Sequence, residues 1–340
     1  MKLLETVETL SLAVGTSGAE KAVREQIISL LPENAEYQTD NLGNLIVQKK
    51  GRNRPKNKVM IEAHMDEVGF IVTYIGANGL LRAAQVGGIS LSVLCGKRVV
   101  FGNGVKGVFG VVPVHQLTPE DKLKLPDMDD LYIDIGASTY EEAAELVSVG
   151  DTAVFDSDFI EFGDHKIKGK ALDDRAGCAM LLDVMHRDLA YDTYFVFSVQ
   201  EEVGTRGAAA AAYTVKPDYA IVAEATTAAD ISTAKDYQKV CFLGKGPAVS
   251  FMDRSTVYNP EVYRLAVETA EKRGIPVQLK TFVAGGNDSG AIHKALGGVK
   301  TLSVSLPCRY LHSPACILDT RDITAGADLI QAAAEVFADA

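Results

Sequence analysis

The spacing of apolar positions changes twice along the chain, and the changes divide it into three stretches. The first begins with a helical period. Val23, Ile27, Ile28, Leu30 and Leu31 follow Ser17-Gly18-Ala19-Glu20, which has the form of a capping box. Asn44-Leu45-Ile46-Val47 and Val59-Met60-Ile61-Glu62-Ala63 then read as strands. From about Gly69 to Lys166 glycines punctuate short β-rich runs at 69–75, 98–101, 105–112 and 131–135, and only Glu141 to Val147 has helical character. Regular short strands with turn signals predict a small barrel or sandwich. After Gly169 helix and strand alternate. Helices are expected over 175–189, 206–213, 260–273 (with Pro in the first turn), 289–296 and 323–337. Strands are expected over 193–199, 219–223, 277–282 and 301–305; the first two are unbroken apolar runs, the mark of strands buried on both faces. The pattern predicts an α/β fold. One discontinuous domain takes residues 1–68 and 166–340, and a β-rich domain of residues 69–165 is inserted into it.

The polar residues that interrupt this pattern fall in particular places. His64, Asp173, Glu202, Glu224 and His312 each stand at a strand end or turn, in the motifs Ala63-His64-Met65-Asp66-Glu67, Leu172-Asp173-Asp174-Arg175, Gln200-Glu201-Glu202-Val203, Val222-Ala223-Glu224 and Tyr310-Leu311-His312-Ser313. Open α/β sheets place their ligand sites at such ends. Taken singly, each residue has an ordinary explanation: a surface histidine, a helix-capping acid or a solvated Glu-Glu pair. Taken together, two imidazoles and three carboxylates suit a pair of ions of the Zn²⁺ or Co²⁺ class. Two such ions ~3.5–4 Å apart sharing a carboxylate can activate water for hydrolysis. Asp173 is placed to bridge, although it or Asp174 would also cap the following helix. Glu201, beside a ligand, could act as the base. Asp66, two residues after His64 on the same side of a strand, could orient its imidazole. A glycosidase-type acid pair is a weaker rival, since that chemistry needs carboxyls ~5–9 Å apart across a sugar. Gly285-Gly286-Asn287-Asp288-Ser289-Gly290 reads as a tight turn with an aspartate cap, and lacks the lysine of a phosphate loop.

Composition narrows the class further. The 340 residues are 47% hydrophobic and 23% charged, a globular profile, and the net charge of −11 argues against nucleic acid and anionic lipid partners. No apolar run of about 18 residues predicts a membrane span, and acids come too early at the N-terminus for a secretory signal. Five cysteines without Cys-x-x-Cys spacing read as reduced core thiols of a cytoplasmic protein.

Through these motifs the chain resembles the cytosolic glutamyl-type and deblocking metallo-aminopeptidases, a family that includes tetrahedral aminopeptidases and proteins once labelled cellulase M. The resemblance runs through Thr16-Ser17-Gly18-Ala19-Glu20, Ala63 to Gly69, Ala171 to Gly177, Glu201 to Gly207 and Arg309 to Pro314. It implies a mixed-sheet catalytic domain of the zinc-peptidase kind and two divalent ions. His64, Asp173 and Glu224 would hold one ion, and Asp173, Glu202 and His312 the other. Glu201 would be the general base, with Asp66 orienting His64. A cis peptide between Asp173 and Asp174 is implied, as are short peptide substrates and an insertion that mediates dimers and a dodecamer. Three positions depart from the family pattern: Glu224 where Asp is more usual, Asn287-Asp288-Ser289 where Thr-Asp-Ala is usual, and Ala315-Cys316 where an acid is common. Two other readings stay open. One is a carboxypeptidase or small-amide deacylase of the same fold, with Arg254 or Arg309 holding a carboxylate. The other is a non-catalytic scaffold, against which the intact Glu201 argues.

Overall fold

The computed structural model describes residues 2–120 and 123–340. Its centre is an eight-stranded mixed sheet. In spatial order the strands are Glu36–Thr39, Leu45–Lys49, Thr193–Ser198, Val59–His64, Tyr219–Thr227, Lys300–Cys308, Ala248–Ser250 and Gln278–Lys280. The four inner strands from Thr193–Ser198 to Lys300–Cys308 are mutually parallel. Their carboxyl ends therefore meet along one edge of the sheet. The apolar runs seen in the sequence are explained by cover on both faces. Leu3–Leu12, Lys21–Ser29, Leu172–His186, Pro260–Arg273 and Thr320–Asp339 pack on one side, and Arg206–Val215 with Ser289–Ile292 on the other.

The strands Gly69–Ile75, Leu81–Val86, Tyr132–Asp134, Lys106–Gly110, Arg98–Phe101 and Thr152–Phe155 close into a six-stranded barrel. Its interior is filled by alternate inward residues, among them Leu81, Val99, Phe101 and Ile133. Phe70 sits edge-on to both Phe109 and Phe155, with ring centroids 4.6 and 5.4 Å away. A separate three-stranded sheet joins Ile160–Phe162 and Lys166–Gly169 to Cys316–Asp319. It ties the segment leaving the barrel to the strand just beyond His312.

Several sequence expectations shift. The helix expected over 289–296 is a single turn, Ser289–Ile292, and the strand expected over 277–282 shortens to Gln278–Lys280. The capping box is not one: helix Lys21–Ser29 starts at Glu20 without a side-chain cap. Ser17 Oγ instead donates to Asp66, and Glu20 Oε1 accepts from the Gly18 and Gln200 amides. The cysteines are free thiols, but Cys95 is exposed rather than in the core. No helix among the described residues is long and apolar enough to cross a membrane.

Candidate metal centre

The parallel edge brings the five candidate ligands together, each from a different strand or turn. His64 ends one central strand and Glu224 lies near the end of the next. Glu201 and Glu202 follow Thr193–Ser198 in a turn that begins at Gln200, whose backbone is left-handed (φ 59°). Asp173 lies just after Ala171 (φ 50°), where the chain enters Leu172–His186, and the Asp173–Asp174 peptide is cis. His312 (φ 56°) sits in the turn after Lys300–Cys308. Non-glycine residues in this conformation are uncommon and collect at functional sites.

Asp173 occupies the middle. Its Oδ1 is 3.2 Å from His64 Nε2, and its Oδ2 is 3.3 Å from His312 Nε2. Glu224 Oε1 lies 3.6 Å from His64 Nε2, and Glu202 Oε2 lies 3.3 Å from His312 Nε2. The cluster thus has an inner half around His64 and Glu224 and an outer half around His312 and Glu202. His64, Asp173 and Glu202 offer donor atoms within 4.8 Å of one another, as do His64, Asp174 and Glu224.

The electrostatics of this arrangement suit cations. Burial first, and then the charge of Asp173, push both Glu202 and Glu224 up to about 8. Burial and neighbouring acids, Glu224 among them, also raise Glu201 well above the usual range. Burial opposes the charged form of Asp173, but hydrogen bonds to His312 and His64 outweigh it and hold the carboxyl far below the ordinary value. Burial likewise opposes a charged His312, but Asp173 and Glu202 hold it up at about 10. Glu202 Oε1 and Asp174 Oδ2 are buried without a hydrogen-bond partner among the described residues. An uncompensated cluster of buried acids is costly, and divalent cations are the usual compensation. The donor set, two imidazole nitrogens and carboxylate oxygens, fits them.

The supporting residues do more than their sequence positions suggested. Asp66 Oδ1 accepts from the Glu201 amide at 3.0 Å, and Oδ2 accepts from the Glu202 amide at 3.1 Å and from Ser17 Oγ at 2.6 Å. His64 Nδ1 is closer to the Asp66 carbonyl (3.1 Å) than to its carboxylate (3.5 Å). The Asp66 carboxylate mainly grips the Glu201-Glu202 backbone, while its carbonyl meets the imidazole. Of the acid pair at the helix start, Asp174 caps: its Oδ1 accepts from the Gly177 amide at 3.0 Å. A Cβ at Gly177 would stand 2.3 Å from the Asp174 oxygens, so only glycine fits there. Asp288, expected as a cap, makes no cap bond and is fully buried, accepting at 2.8 Å from Ser198 Oγ, which also bonds Glu62 at 2.5 Å.

Three residues that sequence reasoning passed over form the floor. Lys170 Nζ bonds Glu67 at 2.8 and 3.0 Å, and Arg175 Nη2 bonds it at 3.2 Å, all three side chains being almost wholly buried. Arg175 also donates to the carbonyls of Met65, Leu10, Ala13 and Gly15. Burial lowers Lys170 to about 8 despite Glu67. Of the two arginines considered as carboxylate anchors, Arg309 is committed to Asp230 through bonds of 2.6 and 2.8 Å. Arg254 is exposed.

Comparison with known proteins agrees with this geometry. The model of the M42 glutamyl aminopeptidase family matches residues 43–329. A lysyl aminopeptidase of Pyrococcus furiosus is 33% identical over 320 residues, 91% of this chain and 90% of the relative. An aminopeptidase of the archaeon Desulfurococcus kamchatkensis superposes with a TM-score of 0.92 at 34% identity, over 97% of this chain and 93% of the other. The TET1 peptidase of Pyrococcus horikoshii, which can assemble into a tetrahedron or a large octahedral shell, gives 0.86 at 35% identity over 97% and 98%. With a matching family model across most of its length, a shared fold and a site of this chemistry, the chain belongs to the M42 glutamyl aminopeptidase family and is a peptide-bond hydrolase of the aminopeptidase class.

Proposed function

We propose that the chain releases N-terminal residues from short peptides with the help of two divalent ions, zinc or cobalt. The observation that carries this reading is Asp173, whose two oxygens face two different imidazoles at 3.2 and 3.3 Å. His64, Asp173 and Glu224 would hold one ion, and Asp173, Glu202 and His312 the other. Ions of this kind make water acidic and polarise the scissile carbonyl. Glu201 is the general base: it takes a proton from the attacking water and returns it to the departing amine. Asp66 fixes the backbone of Glu201 and Glu202 and backs His64 with its carbonyl. Arg309, one of the two arginines considered as an anchor for a substrate's carboxylate, is already paired with Asp230. That disfavours the carboxypeptidase alternative.

The same reading gives residues 69–165 the role of an assembly domain, carrying self-association into dimers and a dodecamer. The shell formed by the Pyrococcus horikoshii relative supports this, as does an insertion whose own polar residues form no cluster of ligands among the described residues. A cytoplasmic location is consistent with the free cysteines.

Metal analysis alongside a panel of acidic, aliphatic and basic aminoacyl chromogenic substrates tests the proposal. Two ions per chain and cleavage of at least one aminoacyl substrate are expected. Full turnover at zero metal, or turnover only of substrates blocked at the N-terminus, overturns it. Light scattering tests assembly; a monomer at micromolar concentration overturns that part.

A further inference from the structure

A turn of the barrel reaches into the metal centre. The turn after Leu81–Val86 brings the Gly88 carbonyl to 2.7 Å from His312 Nδ1, across 224 residues of sequence. His312 therefore donates from Nδ1 to the barrel while its Nε2 faces Asp173 and Glu202 at 3.3 Å each. A backbone carbonyl accepting from the remote ring nitrogen sets both the tautomer and the rotation of an imidazole ligand. His312 has more need of this than His64. It stands in a turn with a left-handed backbone, and its side chain is 29% exposed against 2% for His64.

The turn is built to hold that carbonyl in place. Gly87 has φ +84°, and a Cβ there would stand 2.8 Å from Val68 Cγ1 and 3.2 Å from Glu202 Cβ. Only glycine lets the turn pass this close to the second acid of the outer half. Gln85 Nε2 donates to the Ile89 carbonyl at 3.0 Å, bracing the turn from the barrel side. Ile89 itself is buried in the barrel core.

We propose that the turn Gln85–Ile89 is a positioning element of the outer metal site, in which the Gly88 carbonyl fixes the His312 ring and the Gln85 brace fixes the carbonyl. The inference rests on the reading of His312 and Glu202 as ligands. It gives the barrel a part in metal binding, where the sequence assigned the insertion no chemistry.

The test is calorimetric titration of Co²⁺ into chelated, full-length protein. Wild type should show two binding steps, and His312→Ala should lose one of them. Gln85→Met keeps the side-chain length but removes the amide, and should weaken that same step by about tenfold while leaving the other unchanged. Gly87→Ala should weaken it more. A merely structural role would show as a lower unfolding temperature of the chelated protein, which should not change for Gln85→Met. In Gln85→Met/His312→Ala the remaining step should match that of His312→Ala alone. The proposal is overturned if Gln85→Met leaves both steps as in wild type, weakens both equally, or weakens the surviving step of the double variant. If His312→Ala keeps both steps, the ligand assignment itself falls, and the positioning role with it.

Discussion

The inner and outer halves of the centre use the same donor types on different scaffolds. His64 and Glu224 belong to neighbouring central strands covered on both faces, and both side chains are at most 8% exposed. Just past His64 the chain is fixed by Arg175, which donates to the Met65 carbonyl and pairs with Glu67. His312 and Glu202 stand in turns beyond their strands, and three separate pieces of chain hold them: Asp66, the barrel turn at Gly88 and the sheet closed by Cys316–Asp319. A ligand on a core strand gets its geometry from folding. A ligand on a turn has to be positioned by other segments. The difference predicts that the two halves will fail in different ways.

Metal removal should have the largest effect and treat the halves alike. Exhaustive chelation should abolish peptide cleavage while far-ultraviolet circular dichroism stays near native, because the hydrophobic cores do not depend on ions. Residual activity at zero metal would remove the basis of the comparison. Next come the paired variants at the turn. Glu201→Gln should lower kcat by about 10²–10⁴ with two ions still bound. Glu202→Gln should lose the outer ion instead, and plasma emission analysis separates the two outcomes; exchanged phenotypes would reverse the assignment. The inner half should fail through stability. Arg175→Met leaves Lys170 as the one cation on Glu67 and takes a donor from the buried Met65 carbonyl, and urea unfolding should show a loss of about 1–3 kcal/mol.

The smallest effect concerns the strand behind His312. Asp319 lies in a buried position and is bonded by Arg321 and by Lys166 at 2.6 Å. Burial works against its charge, but Arg321 and Lys166 hold its carboxyl down at about 2 against an ordinary 3.8. A depressed folded-state value gives stability that is complete above pH ~4 and is lost as pH falls through ~2. Asp319→Asn should therefore lower stability at neutral pH yet flatten its decline between pH 4 and pH 2, as read by thermal unfolding across that range. An unchanged acid limb would show that this pair does not anchor the outer strand.

The alternation of apolar runs made the central strands legible, and the acids and histidines stood out because they interrupt those runs at their ends. What the sequence hid was partnership at a distance. Ser17 and Glu20 have a local meaning as a capping box, yet tertiary contacts to Asp66 and Gln200 take both side chains. Asp288 has a local meaning as a cap, yet Ser198, 90 residues away, claims it. Asp173 and Asp174 are neighbours with different work, and only the fold shows which one caps. Gly88 acts through its carbonyl, which no side-chain pattern could reveal. The alternatives left open between barrel and sandwich turned on closure, a property of strand pairing rather than of period.

That closure has a further consequence. A barrel whose ladder returns to its first strand has no outermost strand, so among the described residues it offers another chain fewer free amides and carbonyls than an open sheet does. If copies of the chain meet through the barrel, most of that contact falls to side chains, which can be tuned one residue at a time. The open edges lie elsewhere. Glu36–Thr39 is guarded by the ion pair of Glu36 with Lys50, Gln278–Lys280 shows one exposed apolar side chain, Leu279, and Ile160–Phe162 shows two at the rim of its sheet. In a partly folded chain, backbone-mediated clumping would start at that three-residue rim, and a single lysine in place of Ile160 is the natural guard against it.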